Sequence, residues 1–328
     1  MRICIFGAGA VGGYLAGYLS RGGARVSVVA RGAHLAAIQA NGLTVETPDE
    51  SMTVRISASD KPADLGPQDL VLVTVKAPAL PEVAATIAPL LGPDTPVAFV
   101  MNGIPWWYFH AHGGTLEGRR LPALDPDGAL WRTVGPDRTI GGVFWPACSV
   151  PAPGTIRLLA GAGSGTVFGE PAGTITPRLR AIEAAFQAGG LPVTLTPNLR
   201  ALIWRKLAFN LSAGPLCVLT ETAVMDTQTE AALTAASGQL LTEAIALAAA
   251  MGIALEMDIP AIAETNRSLA HKPSILQDLS AGRPMEIDAL YGVPLEMARM
   301  TGVPTPLLDV LVALIKVKAR ARGLYNPS

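Results

Sequence analysis

Lys206 and Asn210 place an ammonium group and a carboxamide four residues apart in the sequence. Side chains at this spacing share one face of an α-helix, so both can meet the same ligand. An ammonium can polarise and protonate a carbonyl oxygen during reduction, and an amide can fix the geometry of the substrate. The same spacing is also typical of a solvated helix face. The neighbouring Trp204, Leu207 and Leu211 are apolar, however, and favour a packed helix.

A glycine-rich turn near the amino terminus predicts where a reductant binds. The sequence Gly7-Ala8-Gly9-Ala10-Val11-Gly12 follows an apolar strand, Arg2–Phe6, and opens a helix that continues to about Leu19. In this pattern the first glycine permits the turn, the second lets the backbone approach a pyrophosphate, and the third lets the helix pack on the strand. The helix N-terminus adds N–H groups and a positive dipole end. We therefore expect a dinucleotide site here; a turn without a ligand is the alternative.

Arg31 follows the second predicted strand, Arg25–Ala30, where an NAD site usually has an acidic residue. A guanidinium at this point can bind the 2′-phosphate of NADP, so the sequence favours NADPH over NADH. A solvated arginine at a strand end is the alternative interpretation.

Lys76 and Asn102 each follow a buried strand of the predicted sheet. These strands are Asp69–Val75 and Pro96–Val100, and a helix over Pro81–Leu91 joins them. The order strand, helix, strand is typical of a doubly wound parallel sheet, which binds ligands at the carboxyl ends of its strands. We therefore predict that both side chains border the nucleotide site. Polar residues that merely begin surface loops are the alternative.

The first part of the chain contains several further predicted elements. They are a helix over His34–Asn41, strands over Leu43–Glu46, Met52–Ser57, Thr139–Trp145, Thr155–Leu159 and Thr166–Gly169, a helix over Thr176–Ala188 and a strand over Pro192–Leu195. Residues 105–138 interrupt this order and begin with a dense aromatic cluster, Trp106-Trp107-Tyr108-Phe109. We interpret them either as a lid beside the site or as a satellite core or subunit contact.

From Leu199 onward the sequence changes to long amphipathic segments rich in Ala and Leu. The expected helices are Leu199–Leu211, Thr229–Met251, Ile259–Leu269, Ser274–Leu279, Glu286–Thr301 and Thr305–Arg322. This pattern predicts an N-terminal Rossmann-type α/β domain over 1–198, with an insertion over about 105–138, and an all-helical C-terminal domain over 199–328. We expect catalysis in the cleft between them.

The composition excludes several classes of protein. The chain has 328 residues, of which 50% are hydrophobic and 16% charged, and its net charge is −1. It therefore has no basic field for nucleic acid. The longest apolar stretch, Ala244–Leu255, is too short to span a bilayer, and three widely spaced cysteines fit neither a disulfide framework nor a zinc pattern. We expect a soluble, cytoplasmic protein without a metal; the sequence leaves a homodimer open.

Together these motifs resemble the ketopantoate reductase (2-dehydropantoate 2-reductase) family over nearly the whole chain. The matching motifs are the glycine turn, Arg31, Thr74-Val75-Lys76-Ala77, Asn102-Gly103, Ile203-Trp204-Arg205-Lys206-Leu207, Asn210, Ser274-Ile275-Leu276-Gln277-Asp278 and Glu286-Ile287-Asp288. The resemblance implies an NADP-dependent oxidoreductase that reduces ketopantoate, a small anionic 2-oxo acid, to pantoate in pantothenate and coenzyme A biosynthesis.

The resemblance also implies a role for each matching residue. Lys206 would be the general acid that protonates the ketone oxygen. Asn102, Asn210 and Ser274 would bind the substrate. The cofactor would be bound by the glycine turn, Arg31, Lys76, Asn102 and Glu286, and Glu286 would also order Lys206.

Three features depart from the family pattern. Gly214-Pro215-Leu216 stands where the family often has Asn-Pro-Leu, His271 stands where Asn is frequent, and the aromatic segment after Asn102 is longer than in the shortest members. All three lie near the expected substrate site. A reductase of a different 2-oxo acid is therefore a second hypothesis. A non-catalytic NADP(H) sensor is a third, which Lys206 disfavours because a sensor needs no ammonium at the nicotinamide.

Overall fold

The computed structural model describes residues 1–161 and 163–326. The chain divides into two compact units. The first comprises Met1–Met101 and Pro105–Leu199, and the second comprises Asn102–Ile104 and the chain from Arg200 onward. The loop that carries Asn102 therefore belongs to the second unit, although it directly follows a strand of the first.

The strands of the described chain all lie in the first unit. They are β1 (Arg2–Phe6), β2 (Arg25–Val29), β3 (Leu43–Glu46), β4 (Ser51–Val54), β5 (Ser57–Ser59), β6 (Leu70–Val73), β7 (Val97–Val100), β8 (Thr139–Phe144), β9 (Ala147–Ala152), β10 (Thr155–Ala160), β11 (Thr166–Gly169) and β12 (Val193–Leu195). Eight of them form one sheet in the order β12-β11-β8-β7-β6-β1-β2-β5, and the other four form a second sheet in the order β4-β3-β10-β9.

The larger sheet has the parallel core that the sequence predicts. Strand β1 lies between β6 and β2 and runs parallel to both, and β7 continues the parallel order. Every residue of β6 and β7 is buried, as expected for strands covered on both faces. The helices of this unit are α1 (Ala10–Arg21), α2 (Gly32–Asn41), α3 (Leu80–Thr86), α4 (Ala129–Thr133) and α5 (Pro177–Ala188). The predicted Rossmann-type fold is confirmed.

One strand prediction was wrong in detail, and one strand was not predicted. The single strand expected over Met52–Ser57 is two strands, because β4 pairs with β3 in the small sheet whereas β5 pairs with β2 in the large one. Strand β9 was not predicted. It contains Pro151 and lacks an alternating apolar pattern, and it is held by antiparallel pairing with β10. Its pairing partner, rather than its own sequence, makes it a strand.

The aromatic cluster after Asn102 forms a core inside the first unit. Trp106, Trp107, Tyr108 and Phe109 are each at most 1% exposed. Trp106 makes edge-to-face contacts with Phe99 and Trp131 at ring-centroid distances of 5.6 and 5.7 Å, the arrangement that aromatic rings prefer. Of the two interpretations of this segment, the structure shows the satellite core.

The second unit is helical. Its helices are α6 (Leu199–Thr220), whose first residue belongs to the first unit, α7 (Val224–Thr227), α8 (Ala231–Ala250), α9 (Ile259–Asn266), α10 (Ser274–Ser280), α11 (Val293–Thr301) and α12 (Pro306–Ala321). A π-helical turn, Asp288–Gly292, precedes α11. Helix α6 was predicted to end at Leu211. It instead continues through Pro215, which cannot donate to the carbonyl one turn earlier, and the buried Leu216 and Val218 stabilise this extension.

Helix α8 is long and apolar enough to cross a membrane by length and composition. It buries Leu240 and Leu241 within the second unit, where it packs with α9, α11 and α12. Its buried Glu243 accepts hydrogen bonds from the N–H groups of Leu307 and Leu308, at 3.1 and 3.0 Å, and so caps the first turn of α12. We therefore interpret α8 as a core helix.

Candidate active site

The glycine turn begins where the central strand of the sheet ends. Phe6 is level with Val29 on one neighbouring strand and with Val73 on the other. The N–H groups of Gly7 and Ala8 both donate to the Val29 carbonyl, at 3.1 and 3.2 Å. These two amides therefore shape the turn, and the amides that follow, from Gly9 onward, lead into helix α1.

Close packing requires Gly7 and Gly12, whereas among the described residues nothing packs close to Gly9. A Cβ atom on Gly7 would lie 2.7 Å from Val75 Cγ1, and one on Gly12 would overlap the Gly7 carbonyl and the Thr74 hydroxyl. A Cβ on Gly9 would have no atom within 4 Å. The backbone of Gly9 is thus open to close approach by a ligand, which is the role that the fingerprint assigns to its second glycine.

The N-terminus of helix α1 fits a phosphate group. Gly9 caps this helix without any side-chain hydrogen bond, and the first turn contains no acidic residue. Amides at the start of a helix need external acceptors, and the helix dipole favours a negative charge there. The segment from Gly9 to Gly12 therefore has the donor set and the open space that a pyrophosphate needs.

Arg31 and Lys76 lie in the same unit as the turn, each just beyond a strand end. Arg31 precedes α2, and its guanidinium is 2.7 Å from the Glu82 carboxylate in the first turn of α3. The two side chains are 66% and 43% exposed, so the pair is weak and can exchange partners. Lys76 is exposed and starts the short 3-10 turn Ala77–Ala79.

His34, which was not predicted as a site residue, contacts the glycine turn. Its Nε2 atom is 2.7 Å from the Ala8 carbonyl oxygen, and the Gly154 N–H donates to its Nδ1 atom at 2.9 Å. Both partners are backbone groups, so no residue type or spacing in the sequence identifies the contact.

Lys206 and Glu286 interact within the second unit. Lys206 is half-buried on α6, and Glu286 is 5% exposed. Loss of hydration around the ammonium lowers the pKa of Lys206 from 10.5 to about 8, and the negative charge of Glu286 acts in the opposite direction. The result is an ammonium that remains charged near neutral pH yet gives up its proton more readily than an exposed lysine.

The π-helical turn that follows Glu286 contacts the loop carrying Asn102. The N–H of Ile104 donates to the Ala289 carbonyl at 3.2 Å. A Cβ on Gly103 would lie 2.7 Å from the Ala289 carbonyl carbon, so this loop and this turn meet backbone to backbone. Turns of the π type are frequent at functional sites.

The same turn also contacts the helix of Lys206 and Asn210. A Cβ on Gly214 would overlap the hydroxyl of Tyr291, and it would be 3.6 Å from Ile275, the residue after Ser274. Tyr291 is fully buried, and within the described residues its hydroxyl has no hydrogen-bond partner. The tyrosine thus occupies the space that a side chain at position 214 would need, and its place near the site was not predicted from the sequence.

The remaining predicted substrate residues differ in their exposure. Asn102 and Asn210 are half-buried, and Ser274 is exposed at the first position of α10. His271 is exposed, and its backbone carbonyl accepts a hydrogen bond from Val224 N–H at 3.0 Å. In the described part of the chain, no group of three or more His, Cys, Asp or Glu side chains could hold a metal ion.

Family models match the chain in both halves. The model described as ketopantoate reductase PanE/ApbA matches residues 3–113, and the model described as ketopantoate reductase PanE/ApbA C terminal matches residues 198–319. The two matches cover the glycine turn, Arg31, Lys76 and Asn102 on one side and Lys206 to Glu286 on the other.

Individual proteins match over almost their full length. A protein of Mesorhizobium japonicum named 2-dehydropantoate 2-reductase is 42% identical, with 99% of this chain and 100% of that protein covered. The crystal structure of a candidate ketopantoate reductase from Ralstonia solanacearum MolK2 is 41% identical and superposes with a TM-score of 0.93 over 99% of each chain. A D-mandelate dehydrogenase structure shares the fold at a TM-score of 0.81 and 20% identity, covering 99% of this chain and 100% of that one.

Proposed function

Because this chain belongs to the ketopantoate reductase PanE/ApbA family, we propose that it reduces ketopantoate (2-dehydropantoate) to pantoate with NADPH, a step of pantothenate and coenzyme A biosynthesis. Two features of the molecule support this proposal. The glycine turn has the open backbone and uncapped helix end that a dinucleotide needs. The second unit holds a lysine of lowered pKa beside a buried carboxylate.

The cofactor, which supplies the hydride when bound, would be held by the residues that the glycine turn and the family resemblance indicate. The backbone from Gly9 to Gly12 would bind the pyrophosphate, with Gly7 and Ala8 shaping the turn. Arg31 would bind the 2′-phosphate through its exposed guanidinium. Lys76, Asn102 and Glu286 would contact the nicotinamide half, as the family resemblance implies.

Lys206 would protonate the carbonyl oxygen of the substrate. A general acid works best when its pKa lies near the working pH, because much of it is then protonated and the proton is also readily transferred. The pKa of about 8 meets this requirement. Its positive charge would also stabilise the negative charge that develops on the oxygen as the carbon is reduced. Glu286 would keep the ammonium charged and oriented.

Asn102, Asn210 and Ser274 would bind the small anionic 2-oxo acid. Asn210 lies one helical turn beyond Lys206 on α6, so the amide and the ammonium can donate hydrogen bonds to adjacent oxygens of one substrate. The loop that carries Asn102 contacts the π-helical turn after Glu286. Ile275, the residue after Ser274, lies near Gly214 of α6, which Tyr291 of that turn also approaches.

The observation that carries the proposal is the interaction of Glu286 with a lysine of lowered pKa, Lys206, in a member of this family. The decisive experiment measures steady-state rates with NADPH and with NADH on a panel of 2-oxo acids that includes ketopantoate. We expect the highest kcat/KM for ketopantoate with NADPH. Negligible reduction of ketopantoate beside rapid turnover of another acid would reject this substrate.

A different 2-oxo acid is the second candidate. The specific observation concerns position 214, which is glycine here and often asparagine in the family. The hydroxyl of the buried Tyr291 occupies the space that a side chain at this position would need. The substrate panel separates the two candidates. A third reading, a non-catalytic NADP(H) sensor, predicts no turnover with any acid, and the lowered pKa of Lys206 disfavours it.

We further propose that the protein works in the cytoplasm as a homodimer. Three exposed apolar side chains on α12, Val310, Leu314 and Val317, are 57%, 49% and 59% exposed. Their spacing of four and three residues places them on one face of the helix. An exposed apolar face of this kind is typical of a contact between subunits.

A further inference from the structure

Each N–H group and each carbonyl group of Gly7 and Ala8 has a hydrogen-bond partner inside the protein. Both N–H groups donate to the Val29 carbonyl, and the Gly7 carbonyl accepts from the Thr74 hydroxyl at 2.6 Å. The Ala8 carbonyl is 2.7 Å from His34 Nε2. Three of these four bonds come from residues at neighbouring strand ends. The fourth comes from the side chain of His34 on helix α2.

The partners of the imidazole fix its tautomer. Gly154 N–H can only donate, so His34 Nδ1, at 2.9 Å, must be unprotonated and accept. A neutral ring then carries its proton on Nε2, which faces the Ala8 carbonyl and donates to it. Both bonds therefore select the same tautomer, because the Gly154 N–H can only donate and the Ala8 carbonyl oxygen can only accept.

The bond to Ala8 orients the amide of Gly9. A trans peptide group is planar, with its C=O and N–H pointing in opposite directions. Because the Ala8 carbonyl points at His34, the Gly9 N–H points away from it. The turn is open beside Gly9, because a Cβ atom on this residue would have no described atom within 4 Å.

The hydrogen bond from Gly154 to His34 connects helix α2 to the small sheet. Gly154 lies in the turn that joins β9 to β10, and its carbonyl accepts from Thr44 N–H on β3 at 2.9 Å. A Cβ on Gly154 would lie 3.0 Å from Ala37 Cβ on α2. This close approach leaves little room for the turn to move relative to the helix that carries His34.

We propose that His34 is a positioning residue for the dinucleotide: by holding the Ala8 carbonyl, it presents the Gly9 amide to the pyrophosphate. The residue acts through the backbone and need not touch the cofactor. The inference rests on the NADPH site of the proposed function, but it does not depend on which 2-oxo acid is reduced.

The test compares two substitutions at His34 with a control on the same helix. His34→Leu removes both polar atoms, whereas His34→Gln keeps an N–H donor and an oxygen acceptor. The control is Gln39→Leu, which also removes a hydrogen bond from an α2 side chain to a backbone carbonyl, that of Ala58 at 2.9 Å. For each full-length variant, the measurements are the Kd of NADPH by fluorescence titration and kcat with saturating NADPH.

For His34→Leu we expect the Kd of NADPH to rise roughly tenfold, the scale of one lost orienting hydrogen bond. Its kcat with saturating NADPH should stay within about twofold, because the bound cofactor restores the orientation of the turn. His34→Gln should recover most of the affinity, and Gln39→Leu should bind as the parent chain does. Unchanged NADPH affinity in His34→Leu, or no recovery by Gln, would overturn the inference.

A second measurement uses the parent chain and so does not depend on the folding of a variant. Long-range nitrogen–proton NMR spectra of the His34 ring, with and without NADPH, report which nitrogen carries the proton. We expect the proton on Nε2 in both states. A proton on Nδ1 would contradict the inference. Because NADPH titration and the NMR measurement need no turnover, failure of ketopantoate as a substrate would leave these two readouts intact.

Discussion

The guanidinium of Arg31 lies 2.7 Å from the carboxylate of Glu82, and both side chains are largely in solvent. An ion pair in this setting contributes roughly 0–1 kcal/mol, so a doubly charged phosphate can displace the carboxylate. The same carboxylate would still repel that phosphate. We therefore expect both members of the pair to affect the preference for NADPH, Arg31 by binding the 2′-phosphate and Glu82 by repelling it.

Removing each member of this pair should change cofactor preference in opposite directions. For Arg31→Ala we expect the ratio of kcat/KM with NADPH to that with NADH to fall by roughly 10- to 100-fold, the range for lost hydrogen bonds to a charged group. For Glu82→Gln we expect the KM of NADPH to fall, since a repulsive charge is lost. An unchanged ratio in Arg31→Ala would show that Arg31 is only a solvated strand-end residue.

Lys206→Ala should reduce kcat by at least ~10²-fold, the usual scale for a missing general acid. The affinity for NADPH should change little, because the cofactor residues proposed in the glycine turn are untouched. Arg205→Ala, at the exposed neighbouring position, is the matched control and should retain turnover. Retained turnover in the Lys206 variant would refute the assigned role.

The pH dependence of the reaction should depend on Glu286. With Lys206 as the proposed general acid, reduction needs its protonated form, so we expect kcat/KM to be constant at low pH and to fall as the pH rises through about 8. The charge of Glu286 raises the pKa of Lys206, so Glu286→Gln should move this fall to lower pH. Rates measured across the pH range for both proteins test the shift. A fall at higher pH in the variant would contradict the sign.

Leu314→Glu should convert the proposed homodimer to a monomer. The substitution places a charge in the exposed apolar face of α12, where burial in a contact would be costly. Light scattering during gel filtration should give the chain mass of 34.0 kDa for the variant and twice this value for the parent chain. Leu159→Glu, at an exposed leucine of β10, is the control that should not change the mass. A monomeric parent chain would reject the dimer.

The parts of the site that sequence predicted are those encoded by local spacing. Gly7 and Gly12 sit in one short motif, and each is required by atoms that any strand–turn–helix of this kind brings close. Lys206 and Asn210 share a helix face for the same reason. The fold class followed from the order of buried strands and helices.

The parts that sequence could not predict depend on contacts between distant residues. His34 acts on a backbone carbonyl, which carries no side-chain signal. The pairing of Lys206 with Glu286, eighty positions later, was available only through the family resemblance. The aromatic cluster beginning at Trp106 has a composition equally suited to a lid or a core, and only its observed burial decides between them.

Gly214 and Tyr291 should show strong energetic coupling. In Gly214→Ala the new Cβ would overlap the Tyr291 hydroxyl, so we expect the free energy of unfolding to fall by about 1–3 kcal/mol. Tyr291→Phe removes a buried hydroxyl that lacks a partner in the described chain, so that variant should be as stable as the parent chain or more so. In the double variant the overlap is gone, since the ring carbon Cζ lies 3.5 Å from the Cβ position, and stability should return.

Denaturant unfolding of all four proteins gives the coupling free energy. Gly238→Ala in α8, where the nearest atom to a Cβ is 3.4 Å away, is the control and should be stabilising. Additive effects at positions 214 and 291 would mean that the tyrosine does not fill the space of the missing side chain.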